Sequence, residues 1–324
     1  MRVLVTGGAG YIGSVIVEEL LQEGHEAVVY DSLAKGHRSA LEPHVPLIQG
    51  YVRDAERLRA ALAEHRVEAV IHMAALIEVG FSVTDPDRFF ENNVGGSMSV
   101  LRAMIDTGVP KLVFSSTAAL YGDPRRLPIT EHEPTKPTNP YGESKLMVEQ
   151  MLGWVAPAHG MTCTALRYFN AAGATERNGE VHDPETHLIP LVLEAAAANR
   201  PIAVFGTDYP TADGTGVRDY IHVVDLAQAH LLALKCDDPG LRVYNVGNGS
   251  GYSVLQVVAA AREVTDAPLP IAVHPRRPGD QAASVASSAR IRKELGWQPR
   301  YPDLRDIVGS AWRWRQRHPH GYAE

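Results

Sequence analysis

A tyrosine and a lysine spaced four residues apart could together perform acid–base chemistry. Tyr141 and Lys145 form Y-x-x-x-K within PTNPYGESKLMVEQ, at the predicted start of a helix. Residues four apart share a helix face, so we expect the ammonium group to favour the ionised phenol. A tyrosine with an ordinary pKa of about 10 then becomes usable as a base at neutral pH. The same spacing also occurs on solvated helix faces, so other segments must decide between the two interpretations.

A glycine-rich segment near the start of the chain predicts a dinucleotide site. TGGAGYIG follows the apolar segment RVLVT (2–6) and places Gly7, Gly10 and Gly13 three residues apart. Glycine allows a tight turn and a close approach of the backbone to a pyrophosphate. The helix predicted to begin near Tyr11 would direct its positive end at that charge.

The second apolar segment ends in an acid, which indicates the type of dinucleotide. Asp31 stands where a carboxylate suits the ribose hydroxyls and repels a 2′-phosphate, so NAD is favoured over NADP. Lys35 and Arg38 follow closely, which leaves some tolerance of NADP open.

The elements that must position these residues alternate between short apolar segments and helix-period segments. This order predicts an α/β fold with a Rossmann-type, doubly wound parallel sheet, covered by helices on both faces. Ligands of such sheets bind at the carboxyl ends of the strands, where Ser116, Thr117 and Tyr121 are expected. The predicted strands are RVLVT (2–6), EAVVY (26–30), EAVIHM (68–73), KLVFSS (111–116) and CTALRY (163–168).

The pattern changes near Asn170 to glycine, proline and shorter elements. We therefore predict an NAD-binding Rossmann domain over 1–169, which carries the Thr/Tyr/Lys set. Residues 170–324 form a smaller mixed α/β part that mainly binds substrate, with some segments returning to the main sheet.

Composition excludes several classes of function. The 324 residues carry a net charge of −7, which offers no broad cationic surface for nucleic acid. Cys163 and Cys236 are isolated in apolar stretches, and with no Cys/His cluster at ligand spacing we expect no metal site. His72 and His222 lie in apolar strands and are expected to be core or strand-end histidines. Neither a signal peptide nor a membrane span is predicted, so we expect a cytoplasmic protein with no membrane partner.

A longer set of motifs resembles a known family. The set runs from TGGAGYIG through NNVGGS at Asn92, FSST with the later Y-G at Tyr121, Y-x-x-x-K and RYFN at Tyr168 to FGTDYPTADGTGVRDYIHV from Phe205. In order and spacing it resembles the extended short-chain dehydrogenase/reductase superfamily, and within it the UDP-glucose 4-epimerase family. The resemblance covers essentially the whole chain, and its most specific part is the stretch from Phe205.

The resemblance implies an isomerase that interconverts UDP-glucose and UDP-galactose with tightly bound NAD. Tyr141 would take the proton of the sugar 4-hydroxyl as hydride leaves C4, and Thr117 would relay that proton. Lys145 would lower the pKa of Tyr141 and hold the nicotinamide ribose. The 4-keto sugar would then rotate and receive the same hydride on its other face.

The resemblance also implies two sets of binding residues. The cofactor would be bound by Gly7, Gly10, Tyr11, Ile12, Gly13, Asp31, Val52, Ala74, Asn93, Tyr141, Lys145 and Tyr168. The UDP-sugar would be bound by Thr117, Asn170, Leu188, Phe205, Arg218, Arg277, Asp280 and Ser284. Within the second set the two arginines would hold the diphosphate, since a guanidinium can bind phosphate oxygens bidentately.

Three positions depart from the family pattern. Tyr51 follows Gly50 where the family usually has an acid near the adenine, and Ile77 stands where a lysine often lies near the phosphates. Both differences predict weaker retention of the cofactor, and Asp54 is expected to serve only as a helix cap. Ser284 is small where glucose-restricted relatives often have tyrosine, so UDP-N-acetylglucosamine is expected to be accepted as well.

The sequence also predicts a partner, and it leaves several alternative functions open. The apolar stripes near 86–107 and 141–156 would form the helix bundle of a homodimer, although core packing explains them equally well. The nearest alternatives are an epimerase of a UDP-uronic acid or UDP-pentose, and a nucleotide-sugar dehydratase or decarboxylase. The dehydratase and decarboxylase activities are disfavoured, because Ala118 and Ala119 follow Thr117 where an acid would be needed. A non-catalytic NAD sensor is the alternative of another class.

Overall fold

The computed structural model describes residues 1–277 and 279–323. The strands are β1 Arg2–Thr6, β2 Glu26–Asp31, β3 Leu47–Gln49, β4 Ala69–His72, β5 Lys111–Thr117, β6 Thr162–Tyr168, β7 Asn170–Ala172, β8 Ile202–Phe205, β9 Val217–His222, β10 Gly240–Val246, β11 Gly251–Ser253, β12 Ile271–His274 and β13 Ala283–Ser284. The helices are α1 Tyr11–Gln22, α2 Ala55–Glu64, α3 Val79–Thr84, α4 Pro86–Phe89, α5 Gly96–Thr107, α6 Pro140–Ala158, α7 Leu188–Ala197, α8 Val223–Ala233, α9 Val254–Thr265, α10 Ala289–Leu295 and α11 Leu304–Arg317.

The main sheet of the described chain has seven parallel strands in the order β10-β6-β5-β4-β1-β2-β3. Strand order reverses between β1 and β4, which creates the crevice where doubly wound sheets bind ligands. The predicted Rossmann-type fold class is confirmed.

Residues of β1 alternate between two apolar cores, one on each face of the sheet. Val3 and Val5 pack with residues of α1, α8 and α10, whereas Leu4 packs with residues of α2, α5 and α6. This burial on both faces explains why the strands read as continuous apolar segments. It also fixes the strand ends that carry the candidate site.

The stripe near 86–107 is not one regular helix. α4 continues into a π-helical turn over Phe90–Gly95 and then into α5. π-Helical turns occur frequently at functional sites. Here the wider turn carries Asn93, whose amide bonds both backbone groups of Leu76.

The described residues from Asn170 onwards contribute strands both to two smaller sheets and to the main sheet. β9 pairs with β7, β11 and β13, and β8 pairs with β12, beside a third apolar core formed with α7, α9 and α11. β10 instead pairs with β6 along the edge of the main sheet. Among the described residues, no helix is both long and apolar enough to cross a membrane.

Candidate active site

The glycine loop after β1 forms a cradle at the crevice. Gly7 has φ +70°, and a Cβ there would come within 2.7 Å of the Ala74 nitrogen after β4. A Cβ on Gly13 would collide with the carbonyl oxygen of Gly7. Gly10 is the N-cap residue just before α1 and has no side chain that could cap the helix. The first N–H groups of the helix therefore face the loop. The cradle therefore fits a pyrophosphate, which the backbone N–H groups and the helix dipole would both favour.

Asp31 lies buried at the end of β2 beside this loop. Its carboxylate accepts the N–H of Ala9 at 3.0 Å and the N–H of Leu33 at 2.8 Å. Burial raises its pKa, and these two hydrogen bonds oppose that rise. Each carboxylate oxygen keeps a free lone pair, so the group can still accept from the ribose hydroxyls.

The two nearby cations are engaged elsewhere. Lys35 Nζ donates to the carbonyl of Asp183 at 2.5 Å, and Arg38 donates to the carbonyl of Pro43 at 3.1 Å. With these contacts, neither Lys35 nor Arg38 is directed at Asp31, where it could neutralise the 2′-phosphate of NADP. This arrangement supports NAD rather than NADP.

Two of the three departures from the family pattern, Tyr51 and Ile77, lie at the surface. The Tyr51 side chain is 62% exposed, and Ile77 is also exposed. Asp54 accepts the N–H of Arg57 at 3.0 Å as the N-cap of α2, as expected for a cap. Val52 and Ala74 flank this side of the crevice, the first buried and the second partly exposed.

The candidate catalytic residues meet where β5 ends and α6 begins. Thr117 ends β5, and its hydroxyl accepts the N–H of Ala119 at 3.1 Å. Asn139 caps α6 through the N–H of Gly142, which brings Tyr141 to the first turn. The Tyr141 phenol lies next to the Thr117 hydroxyl. One turn later Lys145 is buried, and its Nζ donates to the carbonyl of Ser115 at 2.7 Å.

The expected lowering of the Tyr141 pKa by Lys145 is wrong for the chain by itself. Burial raises the pKa of Tyr141, and only the neighbouring Thr117 hydroxyl opposes the rise. Burial also lowers the pKa of Lys145 from 10.5 to about 7, so near neutral pH the lysine is only partly charged. Shared burial outweighs their proximity, since desolvation disfavours both charged forms.

Asn93 and Tyr168, both expected to contact the cofactor, are buried. Besides its two bonds to Leu76, the Asn93 amide donates to the Ser144 hydroxyl at 3.1 Å. The Tyr168 hydroxyl donates to the sulfur of Met73 at 3.6 Å. These contacts hold the segment after β4 against α6.

A buried polar network beneath Thr117 was missed by the sequence analysis. Arg167 on β6 forms a double hydrogen-bonded ion pair with Glu149 on α6, at 2.5 and 2.9 Å. Glu149 also accepts from the Ser116 hydroxyl, while Arg167 donates to the Tyr121 hydroxyl, which donates to Asn245 on β10. The motifs RYFN and FSST contained two of these residues, but their partners are far away in sequence.

The expected substrate residues form two groups. Asn170 donates to the carbonyl of Asp219 on β9, and Ser284 on β13 pairs in register with Arg218 on β9. Arg218 donates to the carbonyls of Val217 and Gln281, both at 2.9 Å.

In the second group, Arg277 pairs with Asp280 at 2.9 Å and lies 4.9 Å above the Phe205 ring. Leu188 begins α7 and packs against the third apolar core. The structure therefore brings three residues together around β9 and three around Phe205, and it places Leu188 with neither.

The strand histidines are engaged and buried. His72 bonds the hydroxyls of Thr6 at 2.6 Å and Ser97 at 2.9 Å, and burial lowers its pKa to about 3. His222 bonds the Ser310 hydroxyl at 2.9 Å, and burial lowers its pKa to about 4. Both have the structural contacts expected of core histidines.

Comparison with known proteins identifies a matching family model, and relatives that match over the full length of the chain. The model of the NAD dependent epimerase/dehydratase family matches residues 3–247. The UDP-glucose 4-epimerase of Lacticaseibacillus casei is 46% identical, with 100% of this chain and 99% of that protein covered.

Two solved structures extend this likeness. The UDP-glucose 4-epimerase of Bifidobacterium longum, in complex with NAD+ and UDP, has a TM-score of 0.94 and 41% identity over 99% of this chain and 100% of that one. The UDP-Glc/GlcNAc 4-epimerase of Campylobacter jejuni has a TM-score of 0.86 and 36% identity over 98% of this chain and 99% of that one.

Proposed function

Because this chain belongs to the NAD dependent epimerase/dehydratase family, we propose that it interconverts UDP-glucose and UDP-galactose by inverting C4 of the sugar. The observation that carries the proposal is the adjacent pair of Tyr141 and Thr117, one helical turn before the buried Lys145, at the carboxyl end of a dinucleotide-binding sheet. A dinucleotide sensor would have no need of this set.

NAD is the cofactor, and the cradle of Gly7, Gly10 and Gly13 with Asp31 fits it. When bound, NAD supplies a reversible hydride acceptor for C4, so no external reductant is consumed. On the nicotinamide side we assign Lys145 to the ribose. Tyr11, Ile12, Val52, Ala74, Asn93 and Tyr168 are the remaining residues proposed to contact the cofactor.

Tyr141 removes the proton of the 4-hydroxyl and returns it after the sugar has turned. The Thr117 hydroxyl lies next to the phenol, so it can hold the 4-hydroxyl and relay its proton. Since burial raises the pKa of Tyr141, the phenolate needs a positive charge beyond Lys145. The cofactor-bound state is therefore the one in which the phenol can act as a base.

We assign the expected substrate residues to the successive parts of the UDP-sugar. Arg218 and Arg277 hold the diphosphate, and Arg277 would exchange its present pair with Asp280 for phosphate oxygens. Asp280 is then free to accept from the uridine ribose, while Phe205 and Leu188 cover the uracil. Asn170 lies on the diphosphate or sugar side.

The sugar pocket is proposed to accept UDP-N-acetylglucosamine too. Ser284 is buried on β13 next to Arg218, and its small side chain leaves room for an acetamide group. A relative named for both sugars, from Campylobacter jejuni, shares the fold over nearly the whole chain.

We further propose a homodimer formed through α5 and α6. Trp154 on α6 is 82% exposed, and Met147 on α6 and Met98 on α5 are exposed as well. Large apolar side chains on adjacent helices form a surface that a second copy of the chain would cover. A cytoplasmic location remains a prediction.

The test is to incubate the purified protein and NAD with UDP-glucose and, separately, with UDP-N-acetylglucosamine, and to separate the products by chromatography. We expect the 4-epimers without net reduction of the cofactor. Tyr141→Phe should lower turnover by roughly 10²–10⁴-fold while retaining NAD. The matched variant Tyr301→Phe, on a partly exposed ring, should keep full activity. Unchanged turnover in Tyr141→Phe would contradict the proposed base.

A further inference from the structure

The segment between β7 and α7 contains four ligand-type side chains that the proposed reaction does not use. Glu180, His182, Glu185 and His187 each offer one nitrogen or oxygen atom, and these atoms all lie within 4.8 Å of one another. The expectation of no metal site rested on the two cysteines and overlooked this E-x-H-x-x-E-x-H spacing.

The distances in this cluster match the edges of a small coordination shell. His187 Nδ1 lies 2.9 Å from a Glu180 oxygen and 3.1 Å from a Glu185 oxygen, and His182 Nδ1 lies 3.2 and 3.7 Å from oxygens of the same residues. Tetrahedral Zn²⁺, with bonds of about 2.0–2.1 Å, requires ligand atoms separated by about 3.3 Å. The four nitrogen–oxygen distances lie near this value, and all four ligand atoms lie within 4.8 Å of one another, so they are close enough to share one ion.

The orientation of His182 supports a shared centre. Its Nδ1 is inaccessible to solvent and makes no hydrogen bond of acceptable geometry, although two carboxylate oxygens lie within 4 Å. The Glu180 oxygen lies within hydrogen-bond distance, so the in-plane direction of this nitrogen is not towards that oxygen. An ion between the four groups would satisfy it.

Charge also favours a divalent cation. Two neutral imidazoles and two carboxylates carry a charge of −2, and both glutamate side chains are at least nine-tenths buried.

Neighbouring groups fix the ligands and connect them to the two binding regions. The N–H groups of Thr186 and His187 donate to one oxygen of Glu185, at 2.7 and 2.8 Å, which orients that carboxylate. The Tyr11 ring of α1 meets His182 edge-on, with centroids 6.4 Å apart. α7 starts at Leu188, the residue after the last ligand.

We propose that Glu180, His182, Glu185 and His187 form a tetrahedral zinc site. Two imidazoles and two carboxylates suit Zn²⁺, and four protein ligands leave no open position, so the ion is structural rather than catalytic. It would tie the segment before α7 to the start of the cofactor-binding helix. The inference does not depend on the proposed reaction.

The test uses the full chain without a histidine tag. Protein is equilibrated with zinc chloride, dialysed against metal-free buffer and analysed by inductively coupled plasma mass spectrometry. We expect about one zinc per chain, lost in the double variant His182→Ala, His187→Ala. The matched control His44→Ala, His132→Ala removes two exposed imidazoles elsewhere and should retain the metal.

Thermal unfolding gives a second readout. Added zinc should raise the unfolding temperature of the native chain and of the control, but not that of the double variant. Equal zinc contents in native protein and double variant, or none in the native protein, would overturn the proposal. If the double variant does not fold, the visible absorption spectrum of Co²⁺ bound to the native chain tests the proposal instead. Intense visible bands of four-coordinate cobalt support the site, and a weak six-coordinate spectrum refutes it.

Discussion

Replacing Lys145 with methionine should make the cofactor-free protein more stable while destroying its activity. The ammonium is buried beneath Tyr141, and burial lowers its pKa from 10.5 to about 7. Below pH 10.5 the unfolded chain binds a proton more strongly than the folded chain does, so this group makes folding less favourable as the pH falls. The penalty reaches its full value below about pH 7.

The magnitude follows from the two pKa values. At about 1.4 kcal/mol per pH unit, the penalty is on the order of 4 kcal/mol at pH 7 and falls to about 1 kcal/mol at pH 10. Methionine has a similar length and no charge, but it loses the hydrogen bond to Ser115, worth about 1 kcal/mol. The net gain for Lys145→Met should therefore be about 2–3 kcal/mol at pH 7 and close to zero at pH 10.

The assay is urea unfolding of NAD-stripped native protein and variant at several pH values between 7 and 10. Lys111→Met is the matched control, because Lys111 pairs with Asp237 near the surface at 2.7 Å. Its effect should stay within about 1 kcal/mol and not vary with pH. A Lys145→Met protein less stable than native at pH 7, or a difference that does not change with pH, would refute the reasoning. Turnover should fall at least about 100-fold in either case.

Three other changes test separate parts of the site. Ser284→Tyr should abolish activity on UDP-N-acetylglucosamine while sparing UDP-glucose, and equal loss of both rates would argue against a pocket-size effect. Glu149→Gln leaves Arg167 buried without its counter-charge and should cost about 3–5 kcal/mol in urea unfolding. The surface variant Glu26→Gln should cost under about 1 kcal/mol, and similar costs for both would contradict the account. Tyr51→Asp should tighten NAD binding about tenfold in calorimetry by restoring a charged hydrogen-bond acceptor, and unchanged affinity would exclude the missing contact.

The sequence predicted those features that local patterns encode. β1 spans the predicted residues 2–6, because a short continuous apolar segment bounded by turn residues is typical of a buried strand. The family resemblance placed Thr117 and Tyr141 in one site, where their side chains lie next to each other.

Features that depend on three-dimensional neighbours were not predicted. The sign of the Tyr141 pKa change depends on burial, which helical spacing does not report. The Glu149–Arg167 pair joins a helix to a strand that follows it, and neither residue type signals burial in advance. The π-helical turn at Phe90–Gly95 has no periodic signature that distinguishes it from a regular helix.

The position of β10 has a consequence for how the chain folds during synthesis. β6 is buried along its full length, and its outer hydrogen bonds go to β10, which ends at Val246, about 80 residues after β6. At about 5–20 residues per second, a nascent chain would expose an apolar, unpaired sheet edge for several seconds before β10 emerges. A fragment cut after residue 169 would keep that edge permanently and should aggregate. The two parts of the chain thus bind different ligands, but the cofactor-binding part needs β10 from the other part to complete its sheet.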